Sequence, residues 1–207
     1  GGLTSAGNGY GITLKAIESI TGNVIVEASA RASGKDQVLS VATTLGNQVR
    51  TALGDDSSDS AKRFASDTIS ATSLDVVREY ALAMQAMSNG KFEEARHSFQ
   101  RATELDPTFG VAYAGMAIAS ANMGQTQDAK KYVEAAISHV DKMTDRERFR
   151  ARGLYYYITN DYQACVKEYG DLIAKYASDA AALNNLALCM TYLRDMPGAV
   201  GQMKRVV

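Results

Sequence analysis

Gly90-Lys91-Phe92-Glu93-Glu94-Ala95, followed by Phe99, Ala102 and Leu105-Asp106-Pro107, is the stretch from which the fold is read. A step of 34 residues sets Gly124 against Gly90, Ala129 against Ala95 and Ala136 against Ala102. A further step of 36 sets Asn160-Asp161-Tyr162 against the turn, Cys165 in the alanine place and Tyr169 in the Phe99 place. A fourth unit begins near Ala180 with Asn184-Asn185-Leu186-Ala187, and Ala199 returns in register. A period of about 34 residues marks an array of helix-turn-helix units. Small residues at Ala83, Ala95, Gly153 and Ala187 let paired helices approach, and aromatics fill the space between layers. Ser73 fits the N-cap of the first helix, with Asp75 in the first turn where the helix dipole favours negative charge. Pro107 suits the start of the helix that follows.

These residues resemble the tetratricopeptide repeat (TPR) pattern. It places a small residue on helix A, a glycine and an aromatic at the turn, a small residue early on helix B, then an aromatic, an alanine and a proline. Residues 76–109 carry Ala83, Gly90, Phe92, Ala95, Phe99, Ala102 and Pro107. Residues 110–143 keep Tyr113, Ala117, Gly124, Ala129 and Ala136, but Thr126 replaces the turn aromatic and Asp141 the proline. Residues 146–179 keep Phe149, Gly153, Tyr156, Tyr162 and Tyr169, with Ala177 where proline is expected. The resemblance implies a mostly α fold: three full repeats and a truncated fourth over 73–207.

Residues 1–54 read as a small α/β unit. Tyr10, Ile12, Leu14 and Ala16 alternate with their neighbours, so 10–20 is expected to be a strand. Thr21-Gly22-Asn23 is a turn, and the alternation from Val24 to Arg31 provides the hairpin partner. Residues 1–5 can add a third strand. Ser33 and Asp36 suit a capping-box-like start, and Val38, Leu39, Ala42, Leu45, Val49 and Leu53 recur at helical spacing until Gly54 closes the helix. A meander with one helix is small for a free-standing core, so the unit is expected to end a larger domain or to pack on the repeats. The acidic, serine-rich stretch from Asp55 opens an expected linker over 55–72.

Composition narrows the chemistry. The chain has 207 residues, 46% hydrophobic and 22% charged, as a globular protein does. Its 22 basic and 23 acidic residues leave a formal net charge of -1, which gives no bulk electrostatic reason to bind nucleic acid or anionic membrane. No apolar run reaches the roughly 20 residues of a membrane span, and none reads as a secretory signal.

Candidate catalytic motifs fail on inspection. Gly7-Asn8-Gly9-Tyr10-Gly11 is followed by strand and lacks the Gly-Lys-Ser/Thr of a phosphate loop, so it reads as a hairpin turn. His97 and His139 stand alone, which leaves no expected metal site, no cofactor and no Ser/His/Asp arrangement. The pairs Glu93/Glu94 and Asp145/Glu147 fall on helix surfaces or ends, where solvated charge is the expected role. Cys165 and Cys189 occupy small-residue helix positions; buried free thiols are the expected state, with a bridge between adjacent repeats as the alternative.

The concave face formed by the A helices remains as a candidate binding surface. The TPR resemblance places there Tyr80, Met84 and Met87 from the first repeat and Ile118 and Asn122 from the second. Arg150, Leu154 and Tyr157 come from the third, and Asn184 and Leu188 from the fourth. This apolar, aromatic, amide-edged set departs from the lysine- and asparagine-rich clamp of repeats that hold C-terminal carboxylates. It suits an apolar peptide or a partner helix. The alternative is a structural or oligomerisation module whose groove is filled in cis or by another copy.

The order of segments carries a second resemblance. It runs through the Thr21-Gly22 hairpin, the helix ending Val49-Arg50-Thr51-Ala52-Leu53-Gly54, the entry Thr72-Ser73-Leu74, and Asp145-Arg146-Glu147-Arg148-Phe149 with Tyr155-Tyr156. Together these resemble the C-terminal region of bacterial serine/threonine protein kinases that carry TPR repeats. The resemblance implies a non-catalytic sensor or docking tail, cytoplasmic or held outside a membrane by an upstream anchor. Its partner would be a protein or peptide.

Overall fold

The computed structural model describes residues 1–7, 9–54, 70–177 and 179–206. The chain divides into two compact units, Gly1–Thr68 and Ile69–Val207. Residues 55–69 of the expected linker lie outside the described residues.

The first unit is an antiparallel meander of β1 (Gly2–Ala6), β2 (Gly9–Ile17) and β3 (Val24–Ala32), with α1 (Val38–Ala52) packed on β2 and β3. The β2–β3 register pairs Ile12 with Ala30 and Leu14 with Ala28, so apolar side chains share one face. Lys15 opposite Glu27 falls on the other, where the two make a 3.0 Å ion pair. Ile12, Ala32, Val38 and Leu45 are buried. Strand β2 ends at Ile17, short of the expected 20, because the ladder slips at Ala16/Ile17 and Glu18 and Gly22 are tied into the turn. The expected Ser33/Asp36 cap is replaced. A 3-10 turn, Lys35–Gln37, precedes α1, and the Gln37 carboxamide oxygen accepts from both the backbone N–H and the hydroxyl of Ser33.

The second unit is a solenoid of helix pairs, α2 (Leu74–Ser88) with α3 (Phe92–Leu105), α4 (Gly110–Asn122) with α5 (Thr126–Ser138), α6 (Asp145–Ile158) with α7 (Tyr162–Lys175), and α8 (Ala180–Tyr192) with α9 (Met196–Met203). Each B helix also packs on the next A helix, so the pairs stack in series. Four chain reversals repeat one geometry. Gly90, Gly124, Asn160 and Arg194 are left-handed, at φ of 71°, 74°, 65° and 63°. Each sits one residue past a helix C-cap, with its N–H and the next N–H returned to the last turn, as a Schellman end requires. The period in the sequence is therefore the period of this turn.

The core follows the same rhythm. Phe99 inserts against α4 so closely that a Cβ on Gly115 would stand 2.4 Å from its ring. Tyr169 meets Gly153 in the same way, at 2.6 Å. Ser73 caps α2 by accepting from the Val76 N–H. Pro107, expected at a helix start, instead lies in the turn before α4, whose N-cap is Phe109. Asp145 and Glu147 are bound rather than free: Glu147 completes a capping box with Thr144 and accepts from the Ser70 N–H at 3.1 Å, and Asp145 pairs with Arg148 and Lys175. Cys165 and Cys189, expected as free thiols, form a disulfide between α7 and α8, with Cα atoms 6.2 Å apart.

Candidate functional site

Three A helices converge on one cleft of about 340 Å³. Helix α4 contributes Ile118 and Asn122, α6 contributes Leu154 and Tyr157, and α8 contributes Asn184 and Leu188. These residues come from three repeats and meet because the small residues Ala117, Gly153 and Ala187, in register, let the helices stack closely. Tyr169 of α7 lies in the same cleft, with its hydroxyl accepting from the Asn185 side-chain amide at 3.2 Å. Burial pushes the Tyr169 phenol well above its ordinary value, so it stays neutral and keeps its hydrogen bonds.

Four residues expected on this face are elsewhere or occupied. Tyr80 packs its ring against Phe99 and Phe109, with centroids 5.7 and 5.6 Å apart, and lies partly buried against the first core cluster. Met87 packs against the same cluster, and Met84 is exposed outside the cleft. Arg150 is bound to Asp179 rather than presented to a ligand. Asp179 is 1% exposed and also accepts from Arg146 at 2.7 Å and from the Ala182 N–H at 3.0 Å. Burial alone would raise its pKa, but the Arg150, Ala182 and Arg146 hydrogen bonds outweigh that and hold it low.

The cleft contains residues that the A-helix pattern did not single out: Ala121, Tyr169, Asn185 and Cys189. Tyr169 was visible as the recurring B-helix aromatic, but its reach onto the A-helix face follows only from the missing side chain at Gly153. A tyrosine group flanks the cleft. Tyr162 and Tyr192 stack at 4.5 Å, and Tyr157 meets both edge-on. Burial first, then the hydrogen bond with Tyr192, pushes the Tyr157 phenol up to about 12. The cleft thus presents apolar side walls with amide and phenol groups at its edges, and no charged group lines it. Among the described residues no group of three or more His, Cys, Asp or Glu could hold a metal ion. None of the described helices is long and apolar enough to cross a membrane.

A family model described as tetratricopeptide repeat matches residues 86–151. No curated protein matches the sequence. Among solved structures the chain is similar to a MamA protein, at 21% identity over 82% of this chain and 90% of that one, with a TM-score of 0.42. It is similar to MamA from residue 41 to the end, from Desulfovibrio magneticus RS-1, at 15% identity over 79% and 92%, with a TM-score of 0.43. It is also similar to the TPR2AB domain of yeast Sti1 in its pHSP90 complex, at 16% identity over 63% and 76%, with a TM-score of 0.29. The family match and the four stacked helix pairs support a TPR protein, whose helical unit is a TPR-like solenoid preceded by a small three-stranded antiparallel sheet.

Proposed function

We propose that the chain is a non-catalytic protein-interaction module that binds an apolar peptide or a partner helix in the cleft between α4, α6 and α8. One observation supports this most directly: six residues expected on the ligand face, from three repeats, line a single uncharged cleft. A surface of this kind gains affinity by burying apolar side chains, and its amide edges orient the ligand backbone. The order of segments, with its likeness to the tails of bacterial serine/threonine kinases, supports placement within a larger signalling protein. The chain would then dock a partner for a catalytic domain of that same larger protein.

Panning a random peptide library against the 207-residue chain tests the site. Enriched peptides should be apolar, and Leu154→Glu should weaken them by about tenfold or more while the helical circular dichroism is unchanged. Peptides that bind Leu154→Glu at full strength would overturn the assignment.

A further inference from the structure

We infer that residues 70–72 form a strap that ties α2 to α6 across the concave face and gates it; the inference rests on reading that face as a peptide-binding surface. The open cleft begins at α4, and its lining residues come from α4, α6, α7 and α8. The part of the face between α2 and α6 is occupied by the chain's own entry into the repeats. The Ser70 N–H donates to Oε1 of Glu147 at 3.1 Å, across 77 residues of sequence. Glu147 stands one turn before Arg150 on α6, so it belongs to the face that Arg150 was expected to present. Ala71 packs, as Tyr80 does, against the first core cluster. The Thr72 hydroxyl donates to Oδ2 of Asp106 at 2.7 Å, in the loop before α4, and Ser73 then caps α2.

The strap is short, and that fixes its effect. Three steps of chain reach at most about 11 Å. The hydrogen bond at Ser70 and the cap at Ser73 therefore hold the N-terminal ends of α2 and α6 close together, although they belong to the first and third repeats. Electrostatics agree. Burial raises the Tyr80 phenol, the Glu147 charge adds to that and Arg150 opposes it, so both α6 side chains lie near α2. The anchors are few: one N–H, one methyl and one hydroxyl, on residues that are half-buried at Ser70 and Ala71 and exposed at Thr72. They are also separable from the local structure. Glu147 keeps its bond from the Thr144 N–H through Oε2, and Asp106 keeps both bonds from Thr108 through Oδ1. The strap can therefore leave without unfolding either helix end. With it in place the face admits a ligand at the α4–α6–α8 cleft; with it gone, α2 and α6 can part, and Oε1 of Glu147 is free to take a backbone N–H from a longer peptide.

Two variants of the whole chain release the strap by different means. Ser70→Pro removes the N–H, and Ala71→Glu sets a carboxylate against the apolar cluster. Circular dichroism should be unaltered in both. Spin labels attached through Arg78→Cys and Arg152→Cys, at exposed positions on α2 and α6, read the gap between the helices, because the two native cysteines are bridged. The distance distribution should lengthen and broaden in both variants. Peptides panned from a random library on the Ser70→Pro chain should bind the parent about tenfold more weakly, as follows when the open form is a minor state of about one tenth. An unchanged distance, or equal affinity for parent and variants, would overturn the strap and leave the cleft assignment standing. A library that enriches no peptide on either chain would overturn the docking reading and the gate with it.

Discussion

Nη2 of Arg150 donates to both carboxylate oxygens of Asp179, at 2.8 and 2.7 Å, across 29 residues of sequence. The arginine that the TPR resemblance assigns to the ligand face is therefore a strut between α6 and the N-terminus of α8. The two partners differ in cost. Asp179 is buried and holds two arginines and a helix N-cap, so Asp179→Ala should cost about 3 kcal/mol. Arg150 is half-exposed, and Arg150→Ala should cost about 1 kcal/mol or less. Urea denaturation measures both. An Arg150 loss equal to the Asp179 loss would mean that the carboxylate depends on this one partner.

The acidic side of the stability curve follows from the same group and two others. Asp145 is held below its ordinary value chiefly by its hydrogen bond to Lys175, with burial opposing. At Asp106 burial pushes upward, and the hydrogen bonds from Thr72 and Thr108 prevail. A carboxylate with a lower pKa folded than unfolded binds its proton more readily in the unfolded chain. Its stabilisation is full above the unfolded value of about 4 and is lost as the pH falls through the folded value. Thermal melts should hold level from neutral pH down to about 4 and then decline steeply, less so in Asp145→Asn. On the alkaline side the sign is reversed. The raised Tyr157 pKa favours the fold below about pH 10, and that stabilisation fades as the pH climbs toward 12.

Glycines at helical positions should respond in opposite directions. At Gly115 and Gly153 an added Cβ meets the Phe99 and Tyr169 rings, at 2.4 and 2.6 Å. Gly115→Ala and Gly153→Ala should each lose about 1–3 kcal/mol to overpacking, despite alanine's better helix propensity. Gly170 and Gly201 have nothing within 4 Å of an added Cβ, so alanine there should gain roughly 0.5–1 kcal/mol. At the left-handed Arg194, glycine should gain about 1 kcal/mol by removing the strained φ of 63°. Chemical denaturation of the five single variants checks the pattern.

The repeats were legible because their period is stamped on the sequence by one turn geometry, and Gly90 and Gly124 declare it outright. Asn160 is a substitute that the turn tolerates, whereas Arg194 bears no mark of the same conformation. The meander in residues 1–54 was legible from its alternation, but the slip at Ala16/Ile17 was not, because a bulge depends on cross-strand pairing. On the ligand face, the TPR resemblance supplied the A-helix positions expected to be concave. It could not show that the Tyr80 ring folds back onto Phe109, or that Arg150 meets Asp179. Those outcomes depend on residues in neighbouring repeats. Asn185 lies one position from Asn184 in the sequence, and its role rests on the hydrogen bond it donates to the Tyr169 hydroxyl of the neighbouring helix.

The Cys165–Cys189 bridge joins helices from adjacent repeats across 24 residues of sequence. Both sulfurs lie in the core beside Tyr169 and Leu186, so the folded state should shield them from reagents. A thiol-reactive label should add nothing to the native chain or to the chain unfolded without reductant, and should add two groups once it is unfolded and reduced. Closing a loop of this length stabilises the fold by about 3 kcal/mol through restriction of the unfolded chain. The Cys165→Ala, Cys189→Ala double variant should therefore unfold at lower denaturant, with the loss concentrated in α8 and α9. Hydrogen exchange locates that loss. Faster exchange there, with α2 to α5 unchanged, would show that the bridge fastens the last helix pair to the array, while a uniform loss would make it a staple of the whole unit.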